Sequence, residues 1–574
     1  MRIRALASVL LSLALASAEA APLPELKRSD VVFMYQASRQ TYVDYGATVL
    51  AWGGTPTPES LAEAKGIKFF SSVGMVTEFN RYDERFPDTY QQGLCRDLDG
   101  KPYKVPWLTD HQHKGMPYWW CCTRQPLFRQ YISERVEQTV KAGADGVHID
   151  DHLGTAGSLW LGGCFCDRCV AEFRDYLKDL PAAQRPDVGD PGRFDYREVL
   201  RAWLAQNPGR TVQQHPLWPT WRTYQLRGAA QFMQELRALA ARTAGHPVPM
   251  SANAGLLWGP HLNDYQALDF FSAEIEHHAA AKRFDDAPLL AYRLADAVGR
   301  PLTSTASGGD WAFIKEHNLP GLVQGWIALG YAAGGSLMAP VHQWCYTPQK
   351  GTHWYAGPKD KFAPLYQFVR HHRELFDDFH NYADVTVVFS QRTFDRKQAR
   401  IATICANLLA SAVSYRVAFG GDDVVDHPLR ATDLNGTERL LVVEPKDFSP
   451  ADQALLATLD KNRCAASLED LLAHLTPAVR VDSPSALRVL PRVKPGAAVL
   501  HVLNWDYAPE TDSVRPINVA TLHLNLRALG VEGAREARVL SPSAPPRSVA
   551  IDRDTLALPD LGLWTVVELR RRQE

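Results

Sequence analysis

Acidic residues at the end of a short apolar segment are the groups in this chain that first suggest chemistry. Asp150 and Asp151 close the run Gly146–Asp150. Side chains alternate between the two faces of a strand, so His148 and Asp150 share one face and the apolar residues share the other. In a barrel strand the polar face looks toward the axis. This pattern predicts that Asp150 points into the mouth of a barrel and that Asp151 falls in the following loop.

A second acidic pair lies in the segment that runs from residue 269 to residue 278. Glu274 and Glu276 have the same parity, so both are predicted to face inward at the rim of the sixth strand. Two carboxyl groups this close repel each other, which raises one pKa, as a general acid requires. Glu276 is the preferred acid/base because it lies nearer the strand end, and Glu274 then tunes it or binds a sugar hydroxyl. The alternative is a surface ion pair with Lys282 or Arg283.

Hydrolysis of a glycosidic bond needs two carboxyl groups, one protonated and the other ionised as nucleophile or as base for water. Asp150 is the predicted ionised carboxylate and Glu276 the acid/base, with Glu274 and Asp151 as further catalytic candidates. The alternative for Asp150 is a turn or capping residue. Aromatic faces stack on sugar rings but also fill cores, so core packing is the alternative for each tryptophan. The residues predicted to bind substrate are His148, His152, Asn253, Asp310, Trp311, Trp52, Trp258, His342 and Trp344.

Three of the nine cysteines, Cys164, Cys166 and Cys169, fall within six residues. Thiolates this close can converge on one tetrahedral Zn²⁺, and Cys122 is the preferred fourth ligand. Four cysteine ligands leave no open coordination position, so the predicted zinc is structural and no organic cofactor is expected. The alternative is a disulfide with an unpaired cysteine, as an oxidising compartment would favour.

The elements that must position these residues follow a repeated pattern. From Val31 to about Phe376, eight apolar segments alternate with amphipathic ones, which predicts a (β/α)8 TIM barrel with its site at the strand C-termini. The predicted domains are the barrel over residues 21–378, a small α/β domain of flavodoxin or glutamine-amidotransferase type over 379–482, and an antiparallel β-sandwich over 483–574.

Bulk properties narrow the partners and the compartment. Residues 1–20 combine Arg2 and Arg4 with an apolar run and end in Ala18-Glu19-Ala20, the pattern of a cleaved signal peptide. No later apolar stretch approaches the roughly 20 residues that span a bilayer, so we expect a periplasmic or secreted protein without membrane insertion. The net charge of −2, with basic residues scattered along the chain, argues against nucleic-acid binding.

The region after the fourth strand resembles a known family. The stretch Gly146–Gly154, followed by the Cys-x-Cys-x-x-Cys cluster and by Ala171–Leu177, is similar to the fourth-strand region of glycoside hydrolase family 42 β-galactosidases. In that family a strand ending in Asp-Asn-Glu precedes a zinc cluster of this spacing, and the fourth zinc cysteine lies in a segment that Cys122–Arg129 resembles. The resemblance implies the same three-domain order, a structural zinc and a second domain that mediates trimerisation.

The catalytic residues of that family are not preserved. His152 stands where the family has its acid/base glutamate, Asp151 stands where it has asparagine, and Pro301–Trp311 contains no glutamate at the place of the nucleophile. The resemblance therefore covers the scaffold and leaves the chemistry open. Asp150 instead resembles the nucleophilic aspartate that many α-retaining barrel glycosidases carry at the end of the fourth strand.

The expected function is an exported glycoside hydrolase that acts on a poly- or oligosaccharide as a homo-oligomer of two or three chains. Three alternatives stay open. One is a non-catalytic carbohydrate-binding barrel, and another is a family 42-type β-galactosidase with rearranged catalytic residues. The third is a deacetylase with a second metal site at His148, Asp150 and His342.

Overall fold

The computed structural model describes residues 26–482 and 486–571. The signal peptide over residues 1–20 lies outside the described residues and stays a prediction. None of the helices in the described ranges is long and apolar enough to cross a membrane.

The first sheet has eight parallel strands, each paired with the next in chain order. The last strand returns to the first, because the Ala339 N–H donates to the Val32 carbonyl at 2.7 Å and Phe33 bridges Ala339. The sheet is therefore a nearly closed barrel, which confirms the predicted fold class. Its strands are β1 (Val32–Phe33), β2 (Val49–Gly53), β3 (Lys68–Gly74), β4 (Gly146–Asp150), β5 (Met250–Ala252), β6 (Phe270–Ile275), β7 (Leu302–Ala306) and β8 (Ser336–Leu337).

Side chains from five strands or strand ends fill the barrel. Met34, Ala51, Phe70, Phe270 and Met338 belong to one buried cluster that is distinct from the larger core around the helices. An eight-stranded barrel is just wide enough for such filling, so its interior is a packed core and not a pore. A ligand is therefore restricted to the loops at the strand ends.

Eleven helices accompany the barrel in the described residues, in agreement with the predicted alternation of strands and amphipathic segments. Two run between β7 and β8, and three lie in the connection from β4 to β5, which carries three of the clustered cysteines. The helices are α1 (Arg39–Tyr45), α2 (Pro58–Glu63), α3 (Phe79–Arg85), α4 (Pro126–Lys141), α5 (Asp167–Asp179), α6 (Tyr196–Gln206), α7 (Trp218–Ala244), α8 (Ala287–Ala297), α9 (Gly308–His317), α10 (Pro320–Ala332) and α11 (Lys359–His371). A hairpin of β9 (His342–Thr347) and β10 (Gly351–Ala356) follows β8.

A small parallel sheet follows the barrel. After the short strand β11 (His380–Asn381), the strand β12 (Val385–Ser390) lies between β13 (Tyr415–Gly420) and β14 (Arg439–Val442). The associated helices are α12 (Gln391–Ala410), α13 (Pro450–Ala457) and α14 (Leu468–His474). The predicted α/β elements of this region are all present, although the strand β11 pairs with the C-terminal sheet.

Two larger antiparallel sheets and a two-stranded one, Tyr507–Ala508 with Ser513–Val514, make up the C-terminal part of the chain. One buried cluster draws residues from both larger sheets, including Leu500 and Leu556. This is the sandwich arrangement that the sequence predicts. The segment Ala544–Ala550 contains two prolines and escapes a strand prediction, but it is an edge strand, where proline is tolerated. The strands are β15 (Val479–Val481), β16 (Leu487–Lys494), β17 (Ala497–Asn504), β18 (Ile517–Leu524), β19 (Glu536–Ser541), β20 (Ala544–Ala550), β21 (Thr555–Leu561) and β22 (Trp564–Arg570).

Candidate active site

Two carboxyl groups meet over a single amide at the mouth of the barrel. Asp150 ends β4 and Glu274 lies near the end of β6, while Asn253 follows β5 between them. The Asn253 side-chain amide donates to Asp150 Oδ1 at 3.2 Å and to Glu274 Oε2 at 3.4 Å. Asn253 is itself oriented by the Glu274 backbone N–H, which donates to its Oδ1 at 3.1 Å. Three neighbouring strands thus hold two acids close together on one rigid support.

The proximity of the two acids changes their proton affinity. Burial, and next the charge of Asp150, raise the pKa of Glu274 from 4.5 to about 7. Burial also raises the pKa of Asp150, although hydrogen bonds from Asn253 and the Asp151 N–H oppose this rise. Because Asp150 receives two hydrogen bonds at Oδ1 and Glu274 receives one weak one, the pair is arranged to keep Asp150 ionised and Glu274 protonated.

Asp151 sits at the turn after β4 in a strained backbone conformation. Its φ of 52° lies in the left-handed region, and its N–H donates to Asp150 Oδ1 at 3.0 Å. The turn therefore helps to orient Asp150, and strain of this kind is often stored at functional sites. Burial and the charges of Asp150 and Glu274 hold the pKa of Asp151 well above its usual range. Its Oδ2 is buried and has no partner within the described chain.

A buried histidine and aspartate pair stands behind Asp150. His152 Nδ1 donates to Asp264 Oδ2 at 2.7 Å, and the two side chains are 1% and 0% exposed. The opposite nitrogen, Nε2, finds no partner among the described residues. A buried polar atom without a partner is costly, so a group that binds at the site is its natural partner. Sequence reasoning missed Asp264, because a partner 112 residues away leaves no local signal.

Tyr35 is a second residue that the sequence analysis missed. It follows β1, and burial together with the charges of Glu274 and Asp150 raises its pKa well above the usual range. The hydroxyl therefore stays protonated beside the acids and can donate a hydrogen bond to substrate. Strand parity would not have found it, because Phe33 has the same parity and packs in the core around the helices, whereas Tyr35 packs against the cluster inside the barrel.

The structure corrects the role predicted for Glu276. Strand β6 ends at Ile275, and the Glu276 side chain beyond it is 61% exposed, with His278 as a distant ionic neighbour at 3.9 Å. The chain leaves the barrel surface one residue earlier than the parity argument assumed, so only Glu274 faces Asp150. The predicted repulsion between Glu274 and Glu276 is replaced by repulsion between Glu274 and Asp150.

His148 faces the barrel axis as strand parity predicts, and Trp52 packs against it, but both lie below the mouth. His148 is fully buried, its Nδ1 bonds Ser251 Oγ at 3.0 Å, and the Trp52 ring stacks on it at 4.5 Å. The Trp52 indole N–H donates to Ser272 Oγ at 2.6 Å. Their burial favours a packing role, and their contact with substrate stays a prediction. They form a polar layer that supports the acid pair from below.

Asp310 and Trp311 are also structural. Asp310 accepts the backbone N–H groups of His277 and Ala279, both at 2.7 Å, and so clamps the loop after β6 to the start of α9. Trp311 is 1% exposed, and its indole N–H donates to Thr305 Oγ1 at 3.0 Å. Neither side chain reaches the mouth, because the helix that begins at Gly308 turns both toward the core.

The other predicted binding residues lie on the surface near the mouth. Trp258 is exposed in the loop after β5, and His342 is exposed at the start of the hairpin after β8. Trp344 is half-buried in the same hairpin, stacked on Tyr346 at 5.7 Å. Of these three, Trp258 and His342 present free surface to a ligand.

Four buried cysteines converge beside the barrel: Cys122 comes from the connection between β3 and β4, and Cys164, Cys166 and Cys169 come from the connection between β4 and β5. The sulfurs of Cys122, Cys164, Cys166 and Cys169 all lie within 4.8 Å of one another. Cys122 Sγ is 3.8 Å from Cys166 Sγ and 3.6 Å from Cys169 Sγ, and none of the nine cysteines forms a disulfide. Four sulfurs at about 2.3 Å from a tetrahedral zinc ion lie about 3.8 Å apart, so this cluster fits a metal. The sulfur separations favour a metal over the disulfide alternative.

The cluster joins the mouth of the barrel to its outer helices. Cys169 belongs to α5, and its carbonyl accepts the Tyr224 hydroxyl of α7 at 3.0 Å. Phe165, between two of the cysteines, stacks on Trp221 of α7 at 5.2 Å. The loop that begins at Asp151 is thereby tied down at its far end.

Loss of one cysteine ligand is expected to lower the melting temperature by at least about 5 °C and to reduce bound zinc, because metal binding contributes directly to folding. Cys166→Ser is the test, with melting followed by circular dichroism and zinc measured by mass spectrometry on protein purified without chelator. Cys405→Ser, in a buried cysteine of α12, is the matched control. Equal melting temperatures for the two variants would refute the structural role of the cluster.

Two curated relatives resemble part of this chain in sequence. An α-agarase from Alteromonas agarilytica is 24% identical over 398 residues, which covers 62% of this chain and 27% of the relative. An α-agarase from Thalassotalea agarivorans is 23% identical over 396 residues, which covers 63% of this chain and 26% of the relative. The chain thus spans about a quarter of the length of the curated relatives it matches. No protein-family model matches it.

Among solved structures, a β-galactosidase from Bacillus circulans sp. alkalophilus has a TM-score of 0.60 at 12% identity, covering 94% of this chain and 99% of its own. A family 42 β-galactosidase from G. stearothermophilus has a TM-score of 0.56 at 11% identity, with coverage of 95% and 100%. The chain therefore has the multidomain barrel fold of these glycosidases, as the sequence resemblance implied.

Proposed function

We propose that this protein is an exported glycoside hydrolase that cleaves a polysaccharide with Asp150 and Glu274. The carboxyl pair held by Asn253 is the observation that carries the proposal, because one member is favoured in the ionised form and the other is protonated up to about pH 7. An acid and a base whose environments separate their proton affinities are the groups that glycoside hydrolysis needs.

In the proposed reaction Asp150 is the nucleophile. Its carboxylate forms a bond to the anomeric carbon as the glycosidic C–O bond breaks, and Glu274 transfers its proton to the departing oxygen. Glu274 then takes a proton from water, and the water oxygen displaces Asp150 from the sugar. The proton balance closes because Glu274 ends protonated, as it began.

The separation of the two acids favours retention of configuration. Both carboxylate oxygens contact the same Asn253 nitrogen, at 3.2 and 3.4 Å, so they cannot be farther apart than those distances combined. Retaining glycosidases hold their carboxyl groups about 5–5.5 Å apart, whereas inverting enzymes need about 6.5–9.5 Å to admit a water. NMR of the first-formed product anomer tests this stereochemistry.

The pair of His152 and Asp264 positions the substrate in this proposal. His152 Nε2 is buried beside Asp150 without a partner in the described chain, and Asp264 holds the ring through Nδ1. A sugar hydroxyl at the reacting ring would satisfy Nε2. The pair thus occupies the region where family 42 carries its acid/base glutamate, with a binding role in place of proton transfer.

Asp264→Asn is expected to lower kcat/KM about 10- to 100-fold, because the amide no longer fixes the orientation and tautomer of the His152 ring. A shift in the pH profile should accompany the loss, which a general packing defect would not produce. Asp310→Asn is the control, because Asp310 is a buried carboxylate that holds the loop after β6 through two backbone N–H groups. It should lower the stability of the fold and leave the pH profile of activity unchanged. An Asp264→Asn profile that overlays wild type would contradict the positioning role.

The substrate is proposed from the relatives together with the site. The α-agarase relatives make agarose the first polysaccharide to test. A family 42-type β-galactosidase is the competing candidate, favoured by the shared fold. In this proposal the cysteine cluster binds zinc, residues 1–20 direct export to the periplasm or medium, and the chain assembles as a homo-oligomer of two or three copies.

A screen of the recombinant chain against agarose, other polysaccharides and nitrophenyl β-galactosides tests the function. We expect new reducing ends from a polysaccharide, and their loss in Asp150→Asn. Turnover of simple β-galactosides alone would favour the family 42-type activity. Polysaccharide binding without turnover would indicate a carbohydrate-binding protein. The deacetylase alternative lacks its metal site, because within residues 26–482 and 486–571 the four cysteines are the one group of three or more potential ligands close enough to share an ion.

A further inference from the structure

The exposed tryptophans of this protein are confined to one side of the barrel. In the described residues three tryptophans are strongly exposed: Trp160 at 59%, Trp258 at 67% and Trp354 at 42%. They follow β4, β5 and β8 respectively, so all belong to loops at the carboxyl ends of barrel strands. Large aromatic rings are costly to expose, so an exposed tryptophan whose ring is connected to the acid pair is a candidate for contact with a ligand.

Trp354 is linked to the acid pair through two rings. It stacks on His342 with ring centres 4.4 Å apart and an interplanar angle of 10°, and it meets the Tyr35 ring edge-on at 5.4 Å. The Tyr35 hydroxyl in turn interacts with the charges of Glu274 and Asp150. This group forms an aromatic wall that begins in solvent and ends at the acids.

Trp258 is linked to the acids by a separate route. Its ring lies 5.3 Å from that of His261, which lies 5.2 Å from the ring of His152. His152 follows Asp150 by two residues and interacts with its charge. His261 is held in place by the Gly255 N–H, which donates to its Nδ1 at 2.6 Å. A second aromatic wall therefore leads from solvent to Asp150.

The two walls lie on opposite sides of the mouth. The Trp354 wall stands on the loops after β8 and β1, and the Trp258 wall stands on the loops after β4 and β5. The strands follow one another in chain order around the barrel, so these two positions are half a circumference apart. The acid pair stands on β4 and β6, on either side of the strand that precedes Trp258, and its charges reach Tyr35 of the opposite wall.

We propose that Trp258 and Trp354 are sugar-stacking platforms on either side of the cleavage point, so that the enzyme cuts a polysaccharide chain internally. Flat apolar faces stack on sugar rings, and a platform on each side engages a chain that continues past the acids in both directions. An enzyme that removes terminal sugars needs only one side open. This inference rests on the proposed glycosidase function and adds the endo mode of action.

The test compares Trp258→Ala, Trp354→Ala and Trp160→Ala, the last being an exposed tryptophan of the same face that belongs to neither wall. The first two are each expected to lower kcat/KM on soluble agarose about tenfold, with turnover of the shortest agarose oligosaccharide that is cleaved within about twofold of wild type. Trp160→Ala should stay within about twofold on both. Wild-type enzyme should reduce the viscosity of agarose early, before many reducing ends appear.

Release of short sugars from chain ends without a fall in viscosity would overturn the endo mode while leaving the glycosidase function intact. Equal losses in all three variants would overturn the assignment of the platforms. Binding is measured separately, by migration of Asp150→Asn in native gels that contain agarose. We expect this variant to be retarded and the Asp150→Asn/Trp258→Ala/Trp354→Ala combination to migrate freely. Retardation of both would show that another surface binds the polymer and would overturn the inference.

Discussion

Asp150→Asn is expected to reduce turnover about a thousandfold or more while leaving the fold intact. Asparagine preserves the volume and can keep a hydrogen bond to Asn253 and the Asp151 N–H, but it cannot form a glycosyl ester with the anomeric carbon. Removing one member of a catalytic group typically costs most of the rate that the whole group provides. The measurement is the initial rate of reducing-end release under saturating polysaccharide.

Two controls make this result specific. Asp167→Asn changes an aspartate whose side chain is 93% exposed at the start of α5, and it should retain wild-type turnover. The melting temperature of Asp150→Asn should equal or exceed that of wild type, because the substitution removes a crowded charge. Turnover within a few-fold of wild type would exclude Asp150 as the nucleophile and would favour a non-catalytic barrel.

Glu274→Gln is expected to reduce turnover of natural substrate about 10²- to 10⁴-fold, the usual contribution of a general acid. The loss should be much smaller in the bond-cleavage step for an activated aryl glycoside, because a phenolate departs without a proton. Glu276→Gln is the matched control, since that side chain is exposed and faces away from Asp150. If Glu276→Gln were the more damaging change, the assignment of the acid would be reversed.

The dependence of turnover on pH is a second test of Glu274 as the general acid. Wild-type turnover should fall on the alkaline side with a midpoint near pH 7, where Glu274 loses the proton that it must donate. The acidic limb should lie above the ordinary aspartate value of 3.8, because burial raises the pKa of Asp150. Because the two carboxyl groups interact, the midpoint of each limb reports a pKa of the pair and not of one residue alone. Glu274→Gln should lack the alkaline limb.

The contribution of Glu274 to the free energy of unfolding should decrease as pH rises, whereas the contribution of a salt-bridged carboxylate increases. The pKa of Glu274 is about 7 in the folded protein and 4.5 as the unfolded reference, so the folded state binds more protons between these values. Its contribution to the free energy of unfolding is therefore present below pH 4.5 and is lost as pH rises to about 7. Glu274→Gln should gain stability relative to wild type above pH 7, as thermal denaturation at several pH values can measure.

Local sequence patterns were sufficient for much of the scaffold. The eight barrel strands were predicted within a few residues, because parallel barrel strands are short apolar runs separated by helices. The cysteine spacing led to the four-thiol cluster, since three of its ligands are sequence neighbours. Strand parity predicts the orientation of Asp150, and the end of a predicted strand points to Asn253; both are local properties.

The pairing of those residues depended on packing between distant segments. Sequence spacing favours Glu276 over Glu274 as the acid/base, because Glu276 lies nearer the predicted strand end. The actual end of β6 depends on the loop that follows it, where the His277 N–H donates to Asp310, 33 residues away. Trp52 and Trp311 are predicted to bind because they fall near strand ends, and His148 because it faces the axis, but neither feature gives the depth of a side chain along the barrel axis. The partnership of His152 with Asp264 carries no local signal.

The sequence by itself determined which elements form, which acidic residues end them and which thiols lie together, because these features depend on composition and spacing over a few residues. Only the tertiary structure decided that Glu274, and not Glu276, shares Asn253 with Asp150, and that two exposed tryptophans stand on opposite sides of the mouth. Strand ends, side-chain depth and proton affinity are set by contacts across the closed barrel, between segments that are far apart in the chain.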